Sequence, residues 1–117
     1  MTPENLSTRI KDADDAISEK NYSRATDILL KALEEHPENT KLLSKLGMVS
    51  YKLRDFPKAI KYFTKALEIS PKDRELVYSL GLVYIKAGDK PKALGLYDRL
   101  KKLHPEKADE LYRHIYS

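Results

Sequence analysis

The chain has 117 residues, which suits a single domain, and 34% of them are charged. It contains no cysteine, which excludes disulfide bonds, thiolate catalysis and thiolate metal sites. Its net charge of +4 is divided unevenly, because residues 6–39 carry −3, residues 40–73 carry +5 and residues 74–107 carry +4. We interpret this uneven charge mainly as the result of solvated helix faces. Two further interpretations are that the basic end binds an acidic partner, or that copies of the chain stack head to tail.

The first five residues are polar and do not resemble a secretory signal. The longest nearly apolar stretch, Leu76–Ile85, is too short to span a bilayer. We therefore expect a cytoplasmic protein with no membrane partner, unless the chain is part of a longer one.

Proline positions reveal a period of 34 residues along the chain. Four of the six prolines follow it as one series and the other two as a second series: Pro3, Pro37, Pro71 and Pro105, then Pro57 and Pro91. A fixed period of this size indicates one small structural unit copied in tandem. The chain divides into three blocks, residues 6–39, 40–73 and 74–107, followed by a segment at 108–117.

Each block contains two stretches with helical spacing of apolar residues, separated by a short break. The breaks are Lys20-Asn21, Arg54-Asp55 and Gly88-Asp89. Asn and Asp are good helix N-caps because their side-chain oxygen accepts an otherwise unpaired backbone N–H. Proline is tolerated in the first helical turn, as at 57 and 91, and the prolines closing each block are predicted to end the second helix. The pattern therefore predicts a helix, a tight turn and a second helix in each block.

The three blocks differ in how well they follow this pattern. In the first, Arg9 and Asp12 occupy apolar positions, as expected where an N-terminal unit has no neighbour and meets water. In the second block, Gly47 is predicted to allow the two helices to pack closely, with Phe63 filling the gap beside it. Tyr97 is predicted to fill the equivalent gap in the third block. The segment 108–117 is predicted to be a helix that caps the third block through its apolar residues, Leu111 and Ile115.

The residues that recur at fixed positions in the blocks resemble the tetratricopeptide repeat, whose signature is W-x2-L-G-x2-Y, then A-x3-F, then A and P. The second block carries Leu43-x2-Leu46-Gly47, Ala59-x3-Phe63, Ala66 and Pro71, and the third carries Val77-x2-Leu80-Gly81-x2-Tyr84, Ala93-x3-Tyr97 and Pro105. Tryptophan is absent, and Ser50 replaces the tyrosine of the second block. The resemblance implies an all-α, right-handed α-solenoid of antiparallel helix pairs with about seven helices, forming one domain over residues 1–117.

The resemblance also implies that the first helix of each pair lines a concave wall. The residues that would face inward, and form a partner-binding groove, are Ile10, Asp14, Ile17, Ser44, Met48, Tyr51, Lys52, Tyr78, Leu82, Ile85 and Lys86. Met and Tyr suit peptide binding because they are adaptable and offer large contact areas. We expect a non-enzymatic interaction module or adapter that binds a peptide or helix of a partner protein, with Lys52 and Lys86 receiving acidic side chains. The alternative is that several of these side chains pack against a neighbouring repeat or the capping helix.

Some members of this family clamp the C-terminal carboxylate of heat-shock chaperones with two Asn and three Lys or Arg residues. The equivalent positions here are Ile10, Asp14, Lys45, Glu75 and Ser79, of which one is basic and none is Asn. We therefore expect that this chain is not a carboxylate-clamp co-chaperone.

Other functions find less support in the sequence. His36 and His104 occupy the same repeat position, which is typical of a turn feature, and no metal-binding, phosphate-binding or nucleophile motif is present. We expect no catalytic residue, metal or cofactor. Nucleic-acid binding is a less favoured alternative, because the lysines lie mainly on second helices. A self-assembling scaffold, built by head-to-tail repeat stacking, is the other alternative.

Overall fold

The computed structural model describes residues 5–117, which form seven α-helices and contain no strand. The three helix pairs and the final helix are α1 (Leu6–Ser18) with α2 (Tyr22–Glu35), α3 (Thr40–Lys52) with α4 (Phe56–Ile69), α5 (Arg74–Lys86) with α6 (Lys90–Leu103), and α7 (Pro105–Ile115). The first helix of each pair begins at the first residue of its block. The predicted all-α solenoid of helix pairs is confirmed, while the first proline of the series, Pro3, lies outside the described residues. Within residues 5–117, no helix combines the length and the apolar character needed to cross a bilayer.

The turn inside each pair spans three residues and is built in the same way three times. Its middle residue has a positive φ, 61° at Lys20, 61° at Arg54 and 82° at Gly88. The next residue donates its backbone N–H across the end of the first helix at 2.8 Å, which satisfies a carbonyl there: Asn21 to Ala16, Asp55 to Ser50 and Asp89 to Tyr84. The side chain of that same residue then caps the second helix. One Asn or Asp therefore ends one helix and starts the next.

The start of α7 departs from the prediction. Asn39 and Asp73 cap α3 and α5 through their side-chain oxygens, but the equivalent residue before the fourth unit is Lys107, whose ammonium cannot accept a hydrogen bond. His104 caps the helix instead, and its Nδ1 accepts the backbone N–H of Lys107 at 3.1 Å. As a result α7 begins at Pro105, three residues before the predicted 108. This proline therefore starts α7 as well as following the end of α6.

Glycines in the first helices make room for large side chains. A Cβ atom at Gly47 would lie 2.7 Å from the ring of Phe63, which is only 4% exposed. A Cβ atom at Gly81 would lie 2.8 Å from a methyl group of Leu111, so the side chain nearest to this glycine comes from α7. The predicted partner of Gly81, Tyr97, instead stacks on Tyr112 with the ring centroids 5.3 Å apart. Tyrosine suits this half-exposed position because its ring can pack while its hydroxyl group remains in water.

Two glycine-to-alanine substitutions are expected to change stability in opposite directions. At Gly95 a Cβ would meet nothing within 4 Å, so Gly95→Ala should raise the free energy of unfolding by about 0.5–1 kcal/mol through helix propensity. At Gly47 the same substitution must displace a buried ring, and overpacking costs about 1–3 kcal/mol, which exceeds that gain. Urea denaturation of both variants checks the prediction; equal shifts in the same direction would contradict it.

Two hydrophobic cores lie along the solenoid, which measures 52 × 25 × 21 Å. The N-terminal core joins α1 and α2 to one side of α3 through Leu42, Leu46 and Val49. The C-terminal core joins α4 to α7 and reaches α3 through Leu43. Helix α3 therefore packs on both sides, and each helix pair is stabilised mainly by its neighbours along the chain.

Candidate functional site

An open pocket lies between α3 and α5, with the ring of Phe63 from α4 among its walls. We call it the central pocket. It has a volume of about 270 Å³ and is lined by Ser44, Met48, Tyr51, Lys52, Phe63, Ser79, Leu82 and Val83. Five of the predicted groove residues, Ser44, Met48, Tyr51, Lys52 and Leu82, are therefore brought together at one place.

The helical period explains why these side chains share a face. Ser44 and Met48 are four residues apart on α3, and Ser79 and Val83 are four apart on α5, so each pair lies on one side of its helix. Met48 is 38% exposed and Leu82 is half-buried, so both are accessible from outside. The pocket walls are mainly apolar, with hydroxyl groups towards the start of the helices and the ammonium group of Lys52 at their end.

The junction between α1 and α3 is occupied by an ion pair. The carboxylate of Asp14 accepts a hydrogen bond from the ammonium of Lys45 at 2.7 Å, across 31 residues of sequence. Ile17 is half-buried against the N-terminal core. Ile10 lines a separate, shallow depression with Leu6, Ser7, Asn39 and Lys41. The three predicted groove residues of α1 thus lie outside the central pocket.

The junction between α5 and α7 is covered by the last helix. The ammonium of Lys107 lies 4.6 Å from the ring centroid of Tyr78, and the ring of His114 lies 6.3 Å from it in an edge-to-face arrangement. Burial raises the pKa of the Tyr78 hydroxyl above its ordinary value, and the nearby carboxylate of Glu110 raises it further. Tyr78 packs against α7 and is not among the residues that line the central pocket.

Two lysines occupy equivalent places at the ends of α3 and α5. Lys52 and Lys86 are exposed residues in the last turn of their helices. Within residues 5–117, neither ammonium group belongs to an ion pair. Lys86 and the half-buried Ile85 are not among the residues that line the central pocket. The predicted wall therefore continues beyond the pocket towards an edge that carries unpaired positive charge.

Three lining residues were not among those predicted from the sequence: Phe63, Ser79 and Val83. Phe63 reaches the pocket because Gly47 lets its ring approach α3. In the sequence, this contact could be inferred from Gly47 on the first helix of the pair and Phe63 on the second. Ser79 is one of the five clamp-equivalent positions, and the structure places it among the lining residues.

The histidines of the described chain serve helix ends and packing. His36 ends α2, His104 caps α7 and His114 contacts Tyr78. Among residues 5–117, no group of three or more His, Asp or Glu side chains is arranged to hold a metal ion. In the same range, every buried polar side-chain atom has a hydrogen-bond partner.

Solved structures similar to this chain share its helical fold. The TPR2B domain of yeast Sti1, in a complex with pHsp70, is 19% identical with a TM-score of 0.85, and 94% of each chain is covered. The first TPR of Spaghetti (RPAP3), bound to the HSP90 peptide SRMEEVD, is 18% identical with a TM-score of 0.85, covering 93% of this chain and 88% of that one. A MamA mutant is 24% identical with a TM-score of 0.73, covering 94% of this chain and 74% of that one.

A search of curated protein sequences finds no match. The family model described as tetratricopeptide repeat matches twice, at residues 11–74 and 45–108. The second match starts 34 residues after the first, which is the period of the prolines and of the helix pairs. Together the matches cover most of the chain, and they agree with the seven-helix solenoid described above. The chain belongs to the tetratricopeptide repeat family.

Proposed function

We propose that this protein is a non-enzymatic interaction module that binds a segment of a partner protein in the central pocket. The observation that carries the proposal is an open, mainly apolar pocket on the wall formed by first helices, with Met48 exposed at it. Exposed apolar surface of this kind marks interaction sites. The domains of Sti1 and Spaghetti, which share the fold, were solved in complex with pHsp70 and with an HSP90 peptide. Binding would be passive, because the pocket is already formed between rigid helices.

The binding chemistry we propose differs from a carboxylate clamp. At the five equivalent positions, the lone basic residue is Lys45, and its ammonium is already held by Asp14 at 2.7 Å. A second position holds Glu75, whose carboxylate lies 3.3 Å from the ammonium of Lys107 and would repel a C-terminal carboxylate. The partner segment is therefore held through its side chains within the pocket, without a requirement for a free C-terminus.

The charges on the terminal helices disfavour head-to-tail stacking of copies. Helices α1 and α7 each carry three carboxylates against two basic side chains, so each has a net charge of −1. Placing one end against the other would bring like charges together, which is destabilising. The basic residues of α4 are exposed and are not among the residues that line the central pocket, so they do not contribute to the proposed site.

Replacing Met48 with glutamate is expected to weaken peptide binding at least tenfold. A carboxylate at the pocket would have to be desolvated by any apolar side chain that enters. The matched control is Leu30→Glu, since Leu30 is 39% exposed, against 38% for Met48, and lies on α2 away from the pocket. Peptides selected from a displayed random library would be titrated against both variants by fluorescence anisotropy, with a peptide ending in Glu-Glu-Val-Asp as the clamp ligand.

The comparison separates binding in the pocket from loss of folding. Both substitutions replace a partly exposed side chain, so each should change the free energy of unfolding by about 0.5 kcal/mol or less. Equal weakening by both variants, or selection of no peptide at all, would contradict the proposed function. Saturable binding of the clamp ligand at micromolar concentration would contradict the proposed binding chemistry.

A further inference from the structure

We infer that the partner segment carries one bulky apolar anchor and a group of Asp or Glu residues within two to four positions of it. The anchor would enter the central pocket, and the carboxylates would meet Lys52 and Lys86. The inference rests on the proposed function and specifies the class of partner that the pocket accepts.

The single anchor follows from the state of the three helix junctions. At the junction of α1 and α3, the ion pair between Asp14 and Lys45 lies between the helices, and the depression beside Ile10 is more open to solvent than the central pocket. Lys107 and His114 cover Tyr78 at the junction of α5 and α7. The junction of α3 and α5 holds the open pocket, and its 270 Å³ lies below the 300–1,000 Å³ typical of pockets for drug-sized ligands. It therefore suits one Leu, Met or Phe side chain.

The acidic flank follows from the charge at the end of α3 and α5. Lys52 and Lys86 stand in the last turns of these neighbouring helices and have no ion-pair partner within residues 5–117. Each helix C-terminus contributes roughly −0.5 charge, so the two lysines leave a net charge of about +1 at this edge. Lys45, nearer the other end of α3, is already neutralised by Asp14. Unpaired positive charge thus lies on one side of the pocket.

The spacing follows from helix geometry. Four residues separate Met48 from Lys52, and four separate Leu82 from Lys86, which is a rise of about 6 Å along each helix. The lysine side chains extend this reach. An extended segment advances about 3.3 Å per residue, so carboxylates two to four residues from the anchor lie within reach of both ammonium groups.

Synthetic ten-residue peptides, blocked at both ends and fluorescently labelled, test the inference by anisotropy. The probes carry one Leu followed or preceded by three Glu residues, with matched versions in which Gln or Lys replaces Glu. We expect one acidic order to bind at least tenfold more tightly than its Gln version, and binding to weaken as salt increases. A second Leu outside the pocket should change the dissociation constant less than twofold.

The decisive variant reverses both charges, Lys52→Glu with Lys86→Glu. It should weaken binding of the acidic probe at least tenfold and make the Lys version the tighter ligand. The matched control is Lys65→Glu with Lys102→Glu, which changes the net charge equally at exposed, unpaired positions on α4 and α6. That control should stay within twofold of the unmodified protein.

The outcomes distinguish this inference from the proposed function. If Gln and Glu probes bind equally and Met48→Glu weakens both, the pocket binds peptides but the acidic flank is wrong. If a second Leu tightens binding tenfold or more, the single-anchor inference is wrong. If neither the probes nor any library peptide binds, the result contradicts both the inference and the proposed function.

Discussion

Replacing Phe63 with alanine is expected to lower the free energy of unfolding by about 3–5 kcal/mol. The ring is 4% exposed, belongs to the C-terminal core and fills the space beside Gly47, where no Cβ atom occupies the volume. Because neighbouring helices hold their positions, removal of the ring leaves a cavity that the chain can only partly close. A domain of this size is typically stable by about 5–15 kcal/mol, so the loss is a large share of the total.

Phe56→Ala provides the matched control, because it removes the same side chain from a half-buried site at the start of α4. There the ring meets Tyr51, with centroids 5.9 Å apart, and the guanidinium of Arg54. Its loss should cost about 1–2 kcal/mol. Urea denaturation monitored by circular dichroism measures both variants, and equal costs would show that Phe63 does not hold the packing role assigned to it.

Replacing Leu111 with alanine should cost about 2–5 kcal/mol, the second largest effect that we expect. Leu111 is fully buried, and its methyl groups occupy the space left by Gly81, so it holds α7 against α5. Without it, α7 should separate more often and expose Tyr78. The raised pKa of Tyr78 should then fall towards its ordinary value, because water would reach the hydroxyl group.

An alkaline titration of tyrosine absorbance, together with denaturation, measures both effects of Leu111→Ala. The control is Leu30→Ala, since Leu30 is 39% exposed and its removal should cost less than about 1 kcal/mol. Because the pKa of Tyr78 is raised in the folded state, stability should fall as the pH rises above the ordinary tyrosine pKa. An unchanged tyrosine titration in Leu111→Ala would contradict the covering of Tyr78 by α7.

The repeat period allowed the fold to be predicted nearly to the residue. The Asn and Asp caps are local signals, and the structure uses them at the same place in each repeat. The exception is the start of α7, where the period predicts 108 and the helix begins at Pro105. Lys107 was the available signal, because it stands where Asn39 and Asp73 cap the earlier helices.

The site was less predictable because side-chain partners across helices are not local. Repeat position places Asp14 and Tyr78 on the same wall as Met48. It does not show that Lys45 pairs with Asp14, or that α7 covers Tyr78. Both contacts join residues about 30 apart in sequence. The groove expected over three repeats is thus concentrated, as a pocket, at one junction.

The division of the hydrophobic core at α3 has a consequence for motion. Helices α1 and α2 are held mainly by the N-terminal core, which meets the core of α4 to α7 at α3 and through the half-buried Leu33 and Tyr62. Sub-global opening follows such divisions, so amide protons of the first hairpin should exchange with solvent before those of α5. Each opening breaks the ion pair between Asp14 and Lys45 and leaves the ammonium of Lys45 on α3 without its partner.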